Sequence, residues 1–326
     1  MTTFIHTDTT AKSAKQGVLS RFGISGSDML APGALIALVL VCCIVNPNVL
    51  TVFGLTLVLS SAIPLALASL AQMYVVLVGD IDLGNGAAIG LVTTIVATLL
   101  IPHPVVAIIA LAAVIALYAL SGLLVQTRRI PAIIVTLGAS FVWLGIALIV
   151  LPSPGGTVPH WLVLSATTVI PGIPYPILIA AAIALVGWLI SMRTRYGAVI
   201  RAGGASPDAV GRAGWSMTRV RMTAYGLAGF FIVAAGLFVA GATGSGDAQS
   251  SSDYTLLAVA SVVLGGGRFS GGRATPIGTV CGALAVSVAG SMLALIGVPS
   301  DYQTGMQGLI LLAVLAGRVI TDRKSA

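Results

Sequence analysis

Between Leu30 and Thr127 the only side chains ionised near neutral pH are Asp80 and Asp82, and between Arg129 and Arg193 there are none. Ordinary soluble domains carry about a quarter charged residues. Here charged residues make up 8% of 326 positions and hydrophobic ones 57%, too few polar groups to cover a surface in water. The apolar excess must therefore face lipid, and an all-α, polytopic membrane protein is expected.

Apolar runs fall at about 32–45, 50–70, 87–101, 105–126, 130–151, 176–192, 223–242, 254–264, 277–296 and 303–317, which predicts about ten transmembrane helices. Residues 1–30 read as a cytoplasmic tail, 31–320 as the transmembrane domain and 321–326 as a short cytoplasmic tail. The N-terminal stretch has no short apolar core followed by a small-residue cleavage site, so it does not read as a signal peptide. Threaded with the N-terminus inside, the chain places all 16 lysines and arginines on the cytoplasmic side, as the positive-inside rule requires. The run 254–264 is short for a crossing, rising about 16 Å as a helix. It is kept as a span because otherwise Arg268 and Arg273 would move outside. The apolar stretch 70–86 is interrupted by glycine and aspartate, so discontinuous helices are expected. An internal echo points the same way: VVLVGDIDLGNGAAIGLV near Asp80 and VVLGGGRFSGGRATPIGTV near Arg268 share an apolar run, a glycine-rich break and a following Ile-Gly, 187 residues apart. A parallel internal repeat is the expectation.

Several chemistries are excluded by residue type. The net charge of +7 comes from short basic clusters between apolar runs, which is loop punctuation rather than a nucleic-acid surface. Cys42 and Cys43 are adjacent and Cys281 stands alone, so neither a disulfide framework nor a zinc site is expected. Glutamate is absent, and Lys12, Lys15 and Lys324 are the only lysines, none in a P-loop. The chain is not expected to hydrolyse ATP itself or to hold a catalytic site, metal or cofactor. His6, His103 and His160 lie far apart in the threading and suggest no relay.

The longest cytoplasmic loop, 193–222, carries a local pattern of its own. Ser206 is a natural N-cap, Pro207 suits the first helical position, Asp208 complements the helix N-terminus, and Gly214 can close the C-terminus in a left-handed conformation. A two-turn helix is predicted from Pro207 through Asp208, Ala209, Val210, Gly211 and Arg212 to Ala213. So short a helix is marginal in water and needs a packing partner. Its small residues would let another protein approach closely.

Within this loop, Tyr196, Gly197, Ile200, Arg201, Ala202, Gly204, Ala209, Ala213 and Gly214 form the pattern YGxxIRAxGxxxxAxxxAG. That pattern resembles the cytoplasmic loop of the ribose-type sugar permeases of ABC importers. GDIDLGNG at 79–86 resembles the same family's GGIDLSVG element, and GGGRFSGG at 265–272 its second glycine-rich element. The order and spacing agree over nearly the whole chain. The resemblance implies a permease in the bacterial inner membrane, both termini cytoplasmic, that pairs with a second copy or a paralogue. It also implies that the loop, Ser206 to Gly214, docks a cytoplasmic ATPase as a coupling helix, and that an extracytoplasmic binding protein delivers the solute.

The chain departs from that pattern at Asp80, where a glycine is usual, and at Gly84 and Asn85. A lipid-facing aspartate at a span centre costs about 2.5 to 3.5 kcal/mol, so Asp80 and Asp82 must lie inside the protein, near water or at an interface. Two readings stay open for Asp80, Asp82 and Asn85: they line the translocation path or its gate, or they cap the helix that follows. Gly266 and Arg268 belong to the same candidate gate; Arg268, with Arg273, either contacts the ATPase or braces that gate, or is simply a topology signal at the cytoplasmic face. The outer loop 152–176, with six prolines and Trp161, either docks the binding protein or anchors at the interface with Tyr175. An ion-gradient-driven transporter would want carboxylates spread at mid-membrane; one acidic cluster near an inner end fits that less well. Glycine-rich, apolar helices suit a neutral polar solute, with a sugar ahead of nucleosides, branched-chain amino acids or urea.

Overall fold

The computed structural model describes residues 30–167, 175–299, 302, 303 and 305–309. The tails, the basic clusters at either end and most of the tenth apolar run lie outside the described residues. The order is α1 (Leu30–Val45), a 3-10 turn (Pro47–Leu50), α2 (Val52–Ser60), α3 (Ala62–Leu77), α4 (Asn85–Leu99), α5 (Pro104–Arg128) and α6 (Ala132–Val150). It continues with α7 (His160–Thr167), α8 (Tyr175–Trp188) running into a π turn (Leu189–Arg193), α9 (Arg195–Ala205), α10 (Pro207–Arg212), α11 (Met217–Thr243), α12 (Tyr254–Leu264) and α13 (Pro276–Leu295). Among the described residues there is no strand, only a single bridge between Gly155 and Gly246.

The protein is thus an all-α, polytopic membrane protein, but the count of ten spans is not reached by helix length. Among the described residues five helices are long and apolar enough to cross, and six if α2 and α3, bent by 40° at Ser61, form one span. α1, α4 and α12 are apolar but short. For α4 and α12 the cause is the breaks foreseen above. α3 ends at Leu77, Gly79 takes φ 84°, and α4 resumes at Asn85. α12 ends at Leu264, and glycines at 266, 271 and 272 carry positive φ before α13 begins at Pro276. Both echoing stretches therefore fold as helix, glycine-rich break, helix.

Burial sorts the helices. α3 is buried along its whole length, most of α4 and α13 with it, and α11 along about half of its residues. α11 packs along both α5 and α3, and α13 along α3 and α12. α5 and α6 bury one narrow stripe each and leave Ile108, Ile109, Leu117, Phe141 and Ile149 exposed, as lipid-facing helices do. At one end of the bundle the 151–159 segment is tied down: Gly155 and Gly246 exchange backbone hydrogen bonds of 3.0 and 2.8 Å, and the Thr157 N–H donates to the Ala97 carbonyl. The arginines gather at the opposite, basic end.

Candidate functional site

At the basic end the two glycine-rich breaks and the segment 193–222 meet. α9 begins where Thr194, extended at ψ 151°, accepts from the Gly197 N–H. Arg201 reaches back to donate to the Ser191 carbonyl in the π turn, and the Ser191 hydroxyl donates to the Tyr74 hydroxyl of α3 at 3.1 Å. Burial pushes the Arg201 guanidinium below its ordinary pKa, with nearby Tyr74 opposing; so strong a base stays charged. Ile200 is fully buried. The residues of the YGxxIRAxG pattern therefore seat α9 against the membrane-embedded helices.

The seat closes on glycine. A Cβ on Gly204 would lie 1.9 Å from the Leu77 carbonyl oxygen and 2.5 Å from the Gly272 nitrogen. The Gly272 N–H donates to that same Leu77 carbonyl at 2.9 Å. Gly271, at φ 84°, would place a Cβ 2.9 Å from the Gly204 oxygen and 3.0 Å from the Gly79 nitrogen. Three backbones thus touch with no room for any side chain: the last residue of α3, the second break, and the end of α9. Gly204, Gly271 and Gly272 must therefore remain glycine where α9 and the second break meet the Leu77 carbonyl.

Immediately beyond it stands α10. Pro207 opens the helix, Asp208 lies in its first turn and Arg212 in its last. Val210 is buried, whereas Ser206, Pro207, Asp208, Ala209, Gly211, Arg212, Ala213 and Gly214 are exposed. Gly214 takes φ 80°, its N–H donating to the Gly211 carbonyl while that of Trp215 reaches Val210, the paired closure of a left-handed C-terminus. Ser206 differs from expectation. It occupies the N-cap position, but its side chain makes no capping bond at ψ 91°, whereas Thr51, Thr194 and Thr275, at ψ 154°, 151° and 135°, all cap. Its more twisted backbone fails to aim the hydroxyl at the first turn. An edge-to-face contact of Tyr196 with Trp215, centroids 6.0 Å apart, braces the loop instead.

The first break holds the carboxylates. Asp80 is 8% exposed, and its Oδ2 lies 2.9 Å from Nε of Arg221 on α11. That N–H is not aimed along the line; the aligned contacts are Arg221 Nη2 to Oδ1 at 3.3 Å and the Tyr225 hydroxyl to Oδ2 at 3.2 Å. Arg221 also donates through Nη1 to Gln126 Oε1 of α5 at 2.6 Å. Asp82 is fully buried. It accepts from the Gly84 N–H at 2.7 Å and from the Tyr118 hydroxyl at 3.2 Å. The amide of Gln72 brackets its backbone, donating to the Asp82 carbonyl at 3.0 Å and accepting from its N–H at 3.2 Å. Asn85 opens α4 and donates to the Ala68 carbonyl, while its Oδ1 is buried without a partner. Neither Asp82 nor Asn85 sits at the N-cap of α4; that is Gly84. Gly266 is buried and Arg268 exposed at the turn of the second break, where the Arg268 N–H donates to the Arg273 carbonyl.

Residue reasoning overlooked Arg221, Tyr225, Tyr118, Gln126 and Gln72, the partners that hold these carboxylates. Their signal is faint: polar side chains within or beside apolar runs, from 10 positions (Gln72 and Asp82) to 145 (Tyr225 and Asp80) away from the aspartates.

Residues 54–315 match the family described as the branched-chain amino acid transport system / permease component. The chain belongs to this permease family. Its relatives include the ribose import permease protein RbsC of Bacillus subtilis, 30% identical over 90% of this chain and 91% of the relative. The autoinducer 2 import system permease protein LsrD of an Enterobacter strain is 27% identical over 85% and 88%. The probable ABC transporter permease protein YphD of Escherichia coli is 29% identical over 82% of each chain. No solved structure matches. The permease match spans both breaks, the loop and the junction between them.

Proposed function

We propose that this permease is the membrane-spanning subunit of an ATP-binding-cassette importer, carrying a sugar or sugar-like neutral polar solute. The relatives whose names specify a cargo, ribose and autoinducer 2, support that class of solute. The basic end is cytoplasmic, with both termini on that side of a bacterial inner membrane, because arginines are retained there. ATP is hydrolysed on a separate ATPase subunit, an extracytoplasmic binding protein delivers the solute, and a second permease copy or paralogue completes the path. Nucleic acid has no part in it.

The observation that carries this reading is the placement of α10. It is a short helix, Pro207–Arg212, exposed except for Val210, three residues beyond the Gly204 that locks α9 to the ends of both broken elements. A subunit gripping α10 pushes through Gly204 on Leu77 and Gly272 together. Because packed backbones without side chains cannot deform gradually, the breaks move as a unit between two arrangements. Asp80, Asp82, Asn85, Gly266 and Arg268 lie on or beside those breaks and form the gate that this motion works; the Asp80 to Arg221 pair ties the first break to α11. A ligand shifts such an equilibrium only by binding one arrangement better, which here is the role of the nucleotide-loaded ATPase.

The test is co-purification. With the ATPase subunit co-expressed, Val210→Asp and an Asp208→Arg/Arg212→Asp charge swap should abolish recovery of ATPase with the permease, while permease yield in membranes stays near wild type. ATPase recovered at wild-type level with both variants would contradict the assignment of α10.

A further inference from the structure

α12 begins deep inside the bundle, and the residues packed around its start measure how deep. Asn85 donates through Nδ2 to the Ala68 carbonyl at 2.9 Å. Ala68 lies nine residues, about 13 Å of helix, from Leu77 at the basic end. From Gly86, α4 climbs eleven residues, about 16 Å, to Ala97 at the opposite end, against which Gly156 and Gly246 pack. Together these rises match the hydrocarbon core of a bilayer, about 30 Å. Gly86 therefore lies near the midplane.

Along α4 runs a segment that is not helical, 246–253, which follows α11. Its Asp247 N–H donates to the Thr93 hydroxyl at 3.2 Å. A Cβ on Gly90 would strike the Ala248 carbonyl oxygen, and one on Gly86 the Ser251 carbonyl oxygen. The Gly86 N–H itself donates to the hydroxyl of Thr255, in the first turn of α12, at 2.9 Å. The segment thus descends from the outer end to the midplane, and the eleven residues of α12 complete the crossing.

Where the segment turns into α12 it is polar on its open side. Gln249, Ser250, Ser252 and Asp253 are exposed, and Asp253, although at the N-cap of α12, makes no capping bond with its side chain. Irregular backbone at membrane depth persists only where protein buries it or water lines it, and a carboxylate facing lipid is expensive. This turn therefore faces an aqueous space. We propose that Gln249, Ser252 and Asp253 contact the solute midway along the translocation path. An amide both donates and accepts, and a carboxylate accepts charge-assisted bonds from hydroxyls. Such a set suits a neutral solute rich in hydroxyl groups and repels an anion. That a solute passes here rests on the importer reading; the depth of the turn does not.

The test is thiol labelling of the full chain in lipid nanodiscs, with Cys42, Cys43 and Cys281 replaced by alanine. Ser252→Cys is compared with Ser153→Cys in the outer loop and Phe141→Cys on the lipid side of α6, all at exposed positions. A small cationic methanethiosulfonate should modify Ser252→Cys and Ser153→Cys but not Phe141→Cys. A maleimide on a bulky polymer should reach Ser153→Cys alone. In proteoliposomes with ATPase, binding protein and labelled ribose, modification of Ser252→Cys should abolish uptake, and dithiothreitol, which cleaves the mixed disulfide, should restore it. Asp253→Ala should lose uptake at unchanged permease yield. Labelling at position 252 as poor as at 141, polymer access there equal to that at 153, or uptake untouched by both changes would overturn the proposal. If the unmodified protein imports no ribose, it is the sugar importer reading that fails, and labelling still decides the depth of the turn.

Discussion

Asp80 and Arg221 illustrate how a charge survives in an apolar chain. Each is mostly buried, and together with Tyr225 and Gln126 they satisfy most of each other's polar atoms. Removing one partner leaves the other charge buried, which costs about 3 kcal/mol at such partly shielded sites. Asp80→Ala should therefore lower the melting temperature of the purified permease, and Asp80→Ala/Arg221→Leu should recover most of the loss. Equal melting of the single variant and wild type would mean the pair contributes nothing. Asp82→Ala should cost about 2 kcal/mol by orphaning the Gly84 N–H and the Tyr118 hydroxyl, and Asp82→Asn less, since an amide oxygen still accepts from Gly84. Ranking the three proteins by thermal unfolding checks this. The aspartates stood out in the sequence because nothing else near them is charged. Their partners did not, because a tyrosine or glutamine on an apolar helix looks the same whether it meets lipid, water or a carboxylate.

Among the elements, the junction of α3, α9 and the second break is the part whose geometry tolerates least. Gly204→Ala places a carbon where the Leu77 carbonyl now lies, so α9 must lift away from the break. The expected outcome is that ATPase still co-purifies through α10, whereas solute-stimulated ATP hydrolysis falls at least tenfold. Stimulation kept at the wild-type level would show that the junction does not transmit motion. The short helix α10 was legible in advance, since Pro207, Asp208 and Gly214 each have one favoured place at a helix end. The missing Ser206 cap was not, because it depends on a ψ angle set by α9 packing. The junction was legible only as glycines in three separate motifs. That they meet is a fact of topology.

Over the whole molecule, scarcity of charge was enough to give an all-α membrane protein, and the position of the basic residues marks one end of it. The number of spans was harder to read. Hydropathy counts apolar runs, whereas the broken elements at 78–84 and 265–275 divide apolar sequence into helices too short to cross alone. What the breaks cost in continuous helix they return as two ends that meet the C-terminal end of α9, next to α10. The central claim, that motion here is powered from a separate subunit, is tested most directly by uptake into sealed proteoliposomes. Loaded with labelled sugar and binding protein outside and ATP inside, vesicles holding the permease and its ATPase should accumulate solute, and vesicles holding the permease alone should not. Accumulation by the permease alone, driven by an imposed ion gradient, would contradict the account.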